Sequence, residues 1–481
     1  MRAPLLLALG SLSVAPSACA QYPHTVPTPV GAPAGASATD GYRFRNSPAE
    51  GKNSDSVFVV LTFSGGGTRA AAFAYGVLRE LAVTRIDTGA NVRSLLDEVD
   101  VISTISGGSF AGAFYALYGF DSLQVFEPRF LTWNAERSLK RELLGPDLLR
   151  LGSPNFSRSD LAAEAWDKRL FHGATYRALI ARRRRPYLIV NATDMALGAP
   201  FSFTQQQFDP MCDDLASFPI ARAVAASSAF PGLLTPISLE NHAGRCAFTR
   251  PEWVTSGLAD AHLNADAYRT AGDYLTYADS SKRPYIHLMD GGPSDNLGIR
   301  PILRALTSTA GDFSILRLQD NGKLKLIVVI VVNARTSEIS SISKNRNPPG
   351  LLGVLQAAAG VPFDNYSNES LSRLESLSRE RRAQLTAAEC YNRKGHQEGP
   401  PRSTATIVPI DIVHLTFDDV KDPVVRGFFL GVPTSFALPT ATVVRLRDVA
   451  GELLRESDEF QQVLHELRYE ARPAPLHCLD Q

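Results

Sequence analysis

The sequence has no net charge and no long hydrophobic run. Its 49 Lys and Arg residues balance 49 Asp and Glu residues, so no bulk charge would draw the chain to nucleic acid. The apolar run at 5–9 is too short to span a bilayer, and no other run is long enough. The one basic cluster, Arg182–Arg185, precedes a strand-like run and is interpreted as a solvated helix end. An anionic membrane surface is the alternative partner for this cluster.

Signatures of bound nucleotides and metals are also missing. The sequence has no G-x-x-x-x-G-K-[ST] loop, and no G-x-G-x-x-G with a downstream acid is evident. No pair of Cys or His residues has the spacing of metal ligands, and no calcium loop of the form D-x-[DN]-x-[DN]-G is evident. We therefore predict no cofactor and no metal.

Cysteine is scarce, with five residues in 481. Cys19 lies near the N-terminus, and its removal would leave Cys212, Cys246, Cys390 and Cys478. An even number of cysteines in an exported chain suggests two disulfides. Pairing Cys212 with Cys246 and Cys390 with Cys478 closes the least chain, although the sequence does not settle the connectivity. Four free buried thiols are the alternative.

The first segment, residues 1–20, is predicted to be a signal peptide. Arg2 precedes the short apolar run, and the A-C-A at 18–20 has the A-x-A form of a cleavage site. The alternative is a lipoprotein anchored through Cys19. We expect an exported protein that is periplasmic, associated with the outer membrane or secreted. Residues 21–56, rich in Pro, Ala and Gly, are expected to form a tether or arm.

Three further segments each join a strand-like run to a turn of small residues. In one of them, 99–105 is β-branched and apolar, as a buried parallel strand should be. A helical pattern follows over 109–117. Ser109, with Gly107 before it, has the form of a G-x-S-x-A nucleophile elbow. The helix N-terminus would favour negative charge developing on the Ser109 hydroxyl.

The second such segment contains three consecutive glycines. A strand-like run at 57–63 precedes them, and a helical pattern covers 70–81. Successive glycines let backbone N–H groups converge on one anion, which in acyl transfer is the oxyanion of the tetrahedral intermediate. We predict that Gly65, Gly66 and Gly67 form an oxyanion hole. A phosphate-binding loop is the alternative, which the missing nucleotide signatures disfavour.

The third segment contains an aspartate. Asp290 follows the apolar run 286–289, and Gly291 and Gly292 let the chain turn away at once. Because each of the three turns follows a strand, we expect all of them at the carboxyl edge of one sheet, where open α/β sheets form active sites.

In this order the three motifs resemble the patatin-like phospholipase family, which combines a G-G-G-x-[RK] loop, a G-x-S-x-G elbow and a D-G-[GA] aspartate. The resemblance runs from about 57 to 333. It implies that Ser109 is the nucleophile and Asp290 the proton acceptor, without a histidine. It also implies a three-layer α/β sandwich, in which helices cover both faces of a mainly parallel sheet. The supporting positions are Arg69, as a structural or phosphate-facing cation, and Gly107, Gly291 and Gly292.

A Ser-His-Asp triad is the alternative to this pair. His287 lies three residues before Asp290, and strand positions three apart point to opposite faces, so His287 should not face the same site. No comparable motif surrounds four further histidines, which we expect at the surface or in loops: His242, His262, His396 and His414.

Strand-like and helix-like segments alternate across residues 57–470, which are expected to form the catalytic domain. Within it, 335–401 is less regular. An apolar stretch there precedes Pro362 and a polar helical pattern, which is typical of a lid or of an ordinary helix packed on the core. One or two closing helices are predicted over 443–467.

The predicted function is a serine acyl hydrolase of the phospholipase A or lysophospholipase type. Its substrate would be a phospholipid or another lipid ester, met by a peripheral protein at a membrane surface, with no nucleic-acid partner. A non-catalytic lipid-binding protein on the same fold is one alternative. A thioesterase or peptidase using the same two residues is the other, since the fold does not decide the acyl acceptor.

Overall fold

The computed structural model describes residues 24–25, 40–49, 53–87, 92–143, 150–151, 156–259, 261–262, 264–308, 313–319, 322–336, 346, 351–393 and 407–469. The predicted signal peptide, most of the arm, His396 and Cys478 lie outside the described residues.

The strands of this part of the chain are β1 His24–Thr25, β2 Val57–Phe63, β3 Arg85–Asp87, β4 Val92–Ser94, β5 Val99–Ile105, β6 Tyr187–Asp194, β7 Ala199–Ser202, β8 Ile237–Glu240, β9 Tyr285–Met289, β10 Leu326–Asn333 and β11 Ile410–Thr416. A nine-stranded sheet has the order β1-β8-β9-β6-β5-β2-β10-β11, with β7 paired to β6 off this path. The strands β3 and β4 form a separate antiparallel hairpin.

The α-helices are α1 Gly67–Val83, α2 Gly107–Tyr118, α3 Leu123–Phe126, α4 Ala135–Leu143, α5 Arg158–Trp166, α6 Tyr176–Arg182, α7 Gln205–Phe208, α8 Ile220–Ser227, α9 Glu252–Ala259, α10 Ala265–Thr276, α11 Gly292–Asp295, α12 Arg300–Thr307, α13 Ile315–Gln319, α14 Leu351–Arg393, α15 Pro423–Leu430, α16 Thr440–Glu456 and α17 Asp458–Tyr469. Short 3₁₀ and π turns join several of them.

The centre of the sheet is parallel. The strands β6, β5, β2, β10 and β11 all pair in the same direction. Every residue of β2, β5 and β10 is buried, so helices and loops cover both faces of these strands. A strand covered on both faces can be apolar at every position, which is why these runs show no alternation in the sequence. The predicted α/β fold class is confirmed.

The helix α1 packs closely on α16, which closes the layer on its side of the sheet. The contact is made possible by Gly76, because a β-carbon there would overlap the carbonyl oxygen of Arg447. The two closing helices predicted over 443–467 are α16 and α17, which are separated at Ser457.

Two elements differ from the sequence-based expectations. The strand β9 is antiparallel to β6, so the chain reaches Asp290 from the opposite direction to the other two turns. The helix α14 runs without interruption from Leu351 to Arg393 and continues through Pro362. A proline removes one intrahelical hydrogen bond, and here the helix continues past it. The second half of α14 buries Leu374 and Ala388 against the rest of the protein.

The basic cluster is only partly solvated. Arg183 and Arg184 are exposed. Arg182 donates to the carbonyl oxygen of Ala116 at 2.7 Å at the end of α6. Arg185 forms an ion pair with the buried Asp100, so the prediction of a solvated helix end is wrong for this residue.

No helix of the described chain combines the length and the apolar composition that a membrane span requires.

Candidate active site

Ser106 forms the turn between β5 and α2. Ile105 ends the strand and Gly107 begins the helix, so Ser106 is the single residue between them. Its φ of 47° lies in the left-handed region, which residues with a side chain rarely adopt. A sharp, strained turn from strand to helix is the geometry of a nucleophile elbow, in which the central serine exposes its hydroxyl at the sheet edge. Ser106 therefore occupies the elbow position.

Ser109, predicted from the sequence to be the nucleophile, lies three residues further on, in the first turn of α2. Its side chain is fully buried, and its Oγ lies 3.1 Å from the Oγ of Ser227. The structure does not bring Ser109 to the turn. The sequence-based expectation placed the elbow three residues too late, because it took Gly107 as the first glycine of the motif when Gly107 is the first residue of the helix.

Asp290 meets Ser106 at the sheet edge. It directly follows β9 and is 3% exposed. Its Oδ1 accepts a hydrogen bond from the N–H of Gly292 at 2.9 Å, and the side chain of Ser106 is close enough to the carboxylate to lower its pKa. The backbone N–H of Asp290 donates to the carbonyl oxygen of Ala229 at 3.1 Å. Hydrogen bonds of both its backbone and its side chain thus hold Asp290 in place beside the elbow.

The surroundings of Asp290 change its acidity. Burial raises its pKa to about 6, while the hydrogen bonds from Gly292 and Ser106 lower the pKa by favouring the charged form. A carboxylate with a pKa near 6 is still ionised at neutral pH, and it is a better proton acceptor for an alcohol than one at the ordinary 3.8. The site therefore holds a hydroxyl next to a base of suitable strength.

The glycine loop lies directly against the elbow. A β-carbon on Gly65 would lie 3.3 Å from the Cβ of Ser106. One on Gly107 would overlap the carbonyl oxygen of Gly67, so a side chain at Gly107 would displace the loop.

The N–H groups of this loop are not equivalent. Gly65 donates to the carbonyl oxygen of Asn296 at 3.2 Å, and Thr68 donates to that of Ser435 at 2.8 Å. Gly66 and Gly67 lie between these two, at the start of α1, where the first N–H groups of a helix have no intrahelical acceptor. Binding of an oxyanion fits Gly66 and Gly67 better than Gly65.

Arg69 is used inside the protein. The side chain is 4% exposed, and its Nε donates to the carbonyl oxygen of Ala334 at 2.9 Å. Its Nη1 donates to the carbonyl oxygen of Val432 at 2.5 Å, and its Nη2 to Thr434 Oγ1 at 3.1 Å. Of the two roles considered for this cation, the contacts favour the structural one, in which Arg69 ties α1 to the segment 432–436.

In the described part of the chain, no histidine is among the hydrogen-bond partners given above for Ser106 and Asp290. His287 is exposed on β9 and bonds to a serine of the neighbouring β8. His242 lies in the loop after β8, as expected, where it is buried with its Nδ1 2.6 Å from the Oδ1 of Asp213. His262 is exposed, as expected, whereas His414 is half-buried on the strand β11, so the expectation of a surface or loop position is wrong for His414.

One predicted disulfide is present, between Cys212 and Cys246. The pairing of Cys390 with Cys478 stays a prediction, since Cys478 lies outside the described residues. Across the described ranges, no group of three or more His, Cys, Asp or Glu side chains is arranged to hold a metal ion.

Sequence reasoning missed Ser106 and Ser227. A signal for Ser106 was present, because an elbow residue must follow the last strand residue directly and the predicted strand ends at Ile105. The signal was weak because Thr104 stands where the motif has its first glycine. No local signal marks Ser227, whose contact with Ser106 joins residues 121 positions apart.

A strained elbow serine beside a buried aspartate and a glycine loop is an arrangement typical of serine hydrolases on α/β folds. The family model of the patatin-like phospholipases matches residues 61–303, half of the chain. The chain belongs to this family, and membership supports a lipid acyl hydrolase in general terms.

Structures of human GIVD cytosolic phospholipase A2 are similar to this chain. One is 14% identical with a TM-score of 0.42, and the match covers 86% of this chain and 60% of that one. The complex with methyl gamma-linolenyl fluorophosphonate is 15% identical, with a TM-score of 0.36 and coverage of 86% and 59%. The chain thus spans about 60% of the length of these proteins. A comparison with curated proteins finds no match.

Proposed function

We propose that this protein hydrolyses fatty-acyl esters of membrane lipids, with Ser106 as the nucleophile and Asp290 as its proton acceptor. The observation that carries the proposal is the position of the strained elbow residue Ser106 beside the buried Asp290, whose pKa the Ser106 side chain lowers. The family match supports lipid esters as the substrate class. Ser106 takes the role first assigned to Ser109, whose hydroxyl is fully buried in the first turn of α2.

In the acylation step, the Asp290 carboxylate takes the proton from the Ser106 Oγ as this oxygen bonds to the ester carbonyl carbon. The carbonyl oxygen gains the negative charge, and the N–H groups of Gly66 and Gly67 are the proposed donors to it. The bond from the carbonyl carbon to the alcohol oxygen then breaks. The proton on Asp290 passes to the leaving oxygen, which releases the alcohol part of the lipid.

In the deacylation step, a water molecule gives its proton to Asp290 and attacks the acyl carbon attached to Ser106. The Ser106 oxygen leaves and regains the proton from Asp290, and a fatty acid is released. The same carboxylate accepts and returns one proton in each step, so no histidine is needed.

The finer type of the activity follows as part of the proposal. We assign the phospholipase A or lysophospholipase class, with a peripheral membrane surface as the place of action. Export agrees with the disulfide between Cys212 and Cys246, since such bonds persist in oxidising compartments. A signal peptide over 1–20, lipid anchoring at Cys19 and a lid within 335–401 remain predictions.

The test compares fatty-acid release from mixed phospholipid vesicles by the wild type and three variants. We expect Ser106→Ala to abolish release, because it removes the nucleophile. We expect Asp290→Asn to lower kcat by about 10³-fold or more, because an amide accepts no proton. Ser109→Ala is the matched control, a serine to alanine change in the next turn, and it should retain release within about threefold.

Each other outcome has a definite meaning. Activity that survives in Ser106→Ala and disappears in Ser109→Ala would return the nucleophile to Ser109. Cleavage of thioesters or peptides without release from vesicles would favour the second alternative considered above. A wild type that binds vesicles and cleaves neither lipid nor short-chain esters would be the lipid-binding protein.

A further inference from the structure

The strained elbow is held by a side chain from a different helix. The N–H of Ser106 donates to the Oγ of Ser227 at 2.8 Å. Ser227 is the last residue of α8 and is fully buried. A buried backbone N–H needs an acceptor, and at this turn the hydroxyl of Ser227 supplies it.

The direction of the neighbouring hydrogen bonds follows from proton counting. A hydroxyl has one hydrogen and can accept two bonds. Ser227 donates its hydrogen to the carbonyl oxygen of Asn191 at 2.6 Å. Its Oγ must therefore accept in both other contacts, from the N–H of Ser106 and from the hydroxyl of Ser109 at 3.1 Å. The bond to Asn191 fixes the rotamer in which the lone pairs of Ser227 face the elbow.

The same end of α8 also accepts hydrogen bonds from the backbone of Asp290 and Gly291. The carbonyl oxygen of Ser227 accepts from the N–H of Gly291 at 3.2 Å, and the carbonyl oxygen of Ala229 accepts from the N–H of Asp290 at 3.1 Å. A single residue thus contacts both the elbow, through its side chain, and the turn after the aspartate, through its backbone.

We propose that Ser227 is a positioning residue that holds Ser106 in its left-handed conformation and fixes the distance between Ser106 and Asp290. This inference rests on the proposed function. Ser227 does not touch the substrate and takes no proton from it. Without its hydroxyl the N–H of Ser106 has no acceptor, so the turn relaxes and the hydroxyl of Ser106 leaves the carboxylate.

The test measures kcat and KM on vesicles for Ser227→Ala and Ser227→Cys, with Ser109→Ala as the control. Cysteine fills the same space with a sulfur that accepts hydrogen bonds weakly, so it separates the loss of the bond from the loss of packing. We expect both Ser227 variants to lower kcat by roughly 10- to 100-fold with KM within about twofold, because only the positioning of the nucleophile is lost. Ser109→Ala leaves the bond from Ser106 to Ser227 in place and should retain kcat within about threefold.

Covalent labelling gives a second readout. The rate at which a fluorophosphonate labels Ser106, measured on protein shown to be folded by circular dichroism, should fall in parallel with kcat. A folded Ser227→Cys or Ser227→Ala variant with wild-type kcat and labelling rate would overturn the inference. So would a loss confined to KM or to thermal stability. Activity remaining in Ser106→Ala would instead overturn the proposed function, and the two failures are thereby distinguished.

Discussion

At the scale of single residues, three serines with the same chemistry have different positions in one hydrogen-bonded cluster. Ser106 is strained and lies beside Asp290, whereas Ser109 and Ser227 are fully buried and bond to each other. A left-handed residue other than glycine costs on the order of 1–3 kcal/mol and persists only where its surroundings enforce it. The glycine loop and Ser227 provide that enforcement at Ser106.

The raised pKa of Asp290 predicts the pH dependence of the reaction. Below about pH 6 the carboxyl becomes protonated and cannot accept the proton of Ser106, so kcat/KM should fall about tenfold for each pH unit further down. Above that pH the value of kcat/KM should level off. The measurement is a pH profile of fatty-acid release between pH 4.5 and 8, the range bracketing this pKa.

The raised pKa of Asp290 also makes the free energy of unfolding depend on pH, and this dependence is an independent control. Because the pKa of Asp290 is higher in the folded than in the unfolded protein, ionising this carboxyl destabilises the fold as the pH rises from about 4 to about 6. Asp290→Asn should remove this contribution from the pH dependence of the free energy of unfolding. A profile of kcat/KM that stays level down to pH 5 would contradict the assignment of Asp290 as the base.

At the scale of elements, the glycine loop is supported by chain far away in the sequence. Arg69 on α1 donates to Ala334 after β10 and to the segment 432–436. In the same segment, the carbonyl oxygen of Ser435 accepts a hydrogen bond from the N–H of Thr68. The hydroxyl of Ser435 donates to the carboxylate of Glu136 on α4 at 2.6 Å. The position of the loop therefore depends on contacts with residues at least 265 positions away in the sequence.

Arg69→Lys tests this support. An ammonium lacks the planar fork that reaches three acceptors, so buried carbonyl oxygens would lose their donors. We expect the free energy of unfolding to fall by about 2 kcal/mol and kcat/KM to fall with it, because the segment that seats the loop is released. Urea unfolding and fatty-acid release measure the two effects. Arg79→Lys, at an exposed site on the same helix, is the matched control and should change neither; equal effects of the two variants would refute the role of Arg69.

At the scale of the whole molecule, the disulfide closes a loop that contains the helix α8, whose last residue bonds to the elbow. Cys212 and Cys246 are 34 residues apart, and α8 with Ser227 lies between them. The helix carries its own apolar face into the core, where Ala223, Val224 and Ala225 are fully buried. The loop closed by the disulfide therefore includes the helix that carries Ser227.

Removing the disulfide should lower global stability more than activity. For a loop of this length the lost constraint on the unfolded chain is worth about 3–4 kcal/mol. We expect Cys212→Ser and Cys246→Ser to show this loss in urea unfolding, with kcat close to wild type below the transition. The double variant should lose no more than either single one, because both remove the same bond. Additive losses, or a loss below about 0.5 kcal/mol, would show that the bond contributes little.

Much of the fold could be predicted because its central strands are buried on both faces. The runs 57–63 and 99–105 are apolar or β-branched nearly throughout, and the structure has strands with those bounds. The direction of β9 could not be predicted, since an apolar run looks the same in a parallel and an antiparallel pair. The length of α14 was missed because Pro362 normally favours a break.

The sequence by itself determined the local features: where strands give way to small-residue turns, that an aspartate follows one of them, and that glycines separate β2 from the helix after it. These depend on neighbouring residues, so a linear pattern contains them. Only the tertiary structure decided which N–H groups of the loop already have partners and that Ser227 bonds to Ser106. Those outcomes depend on contacts between residues more than a hundred positions apart, such as Ser106 with Ser227. Hydrogen bonds of this kind form only when the sheet and its helices have packed, and no local pattern encodes them.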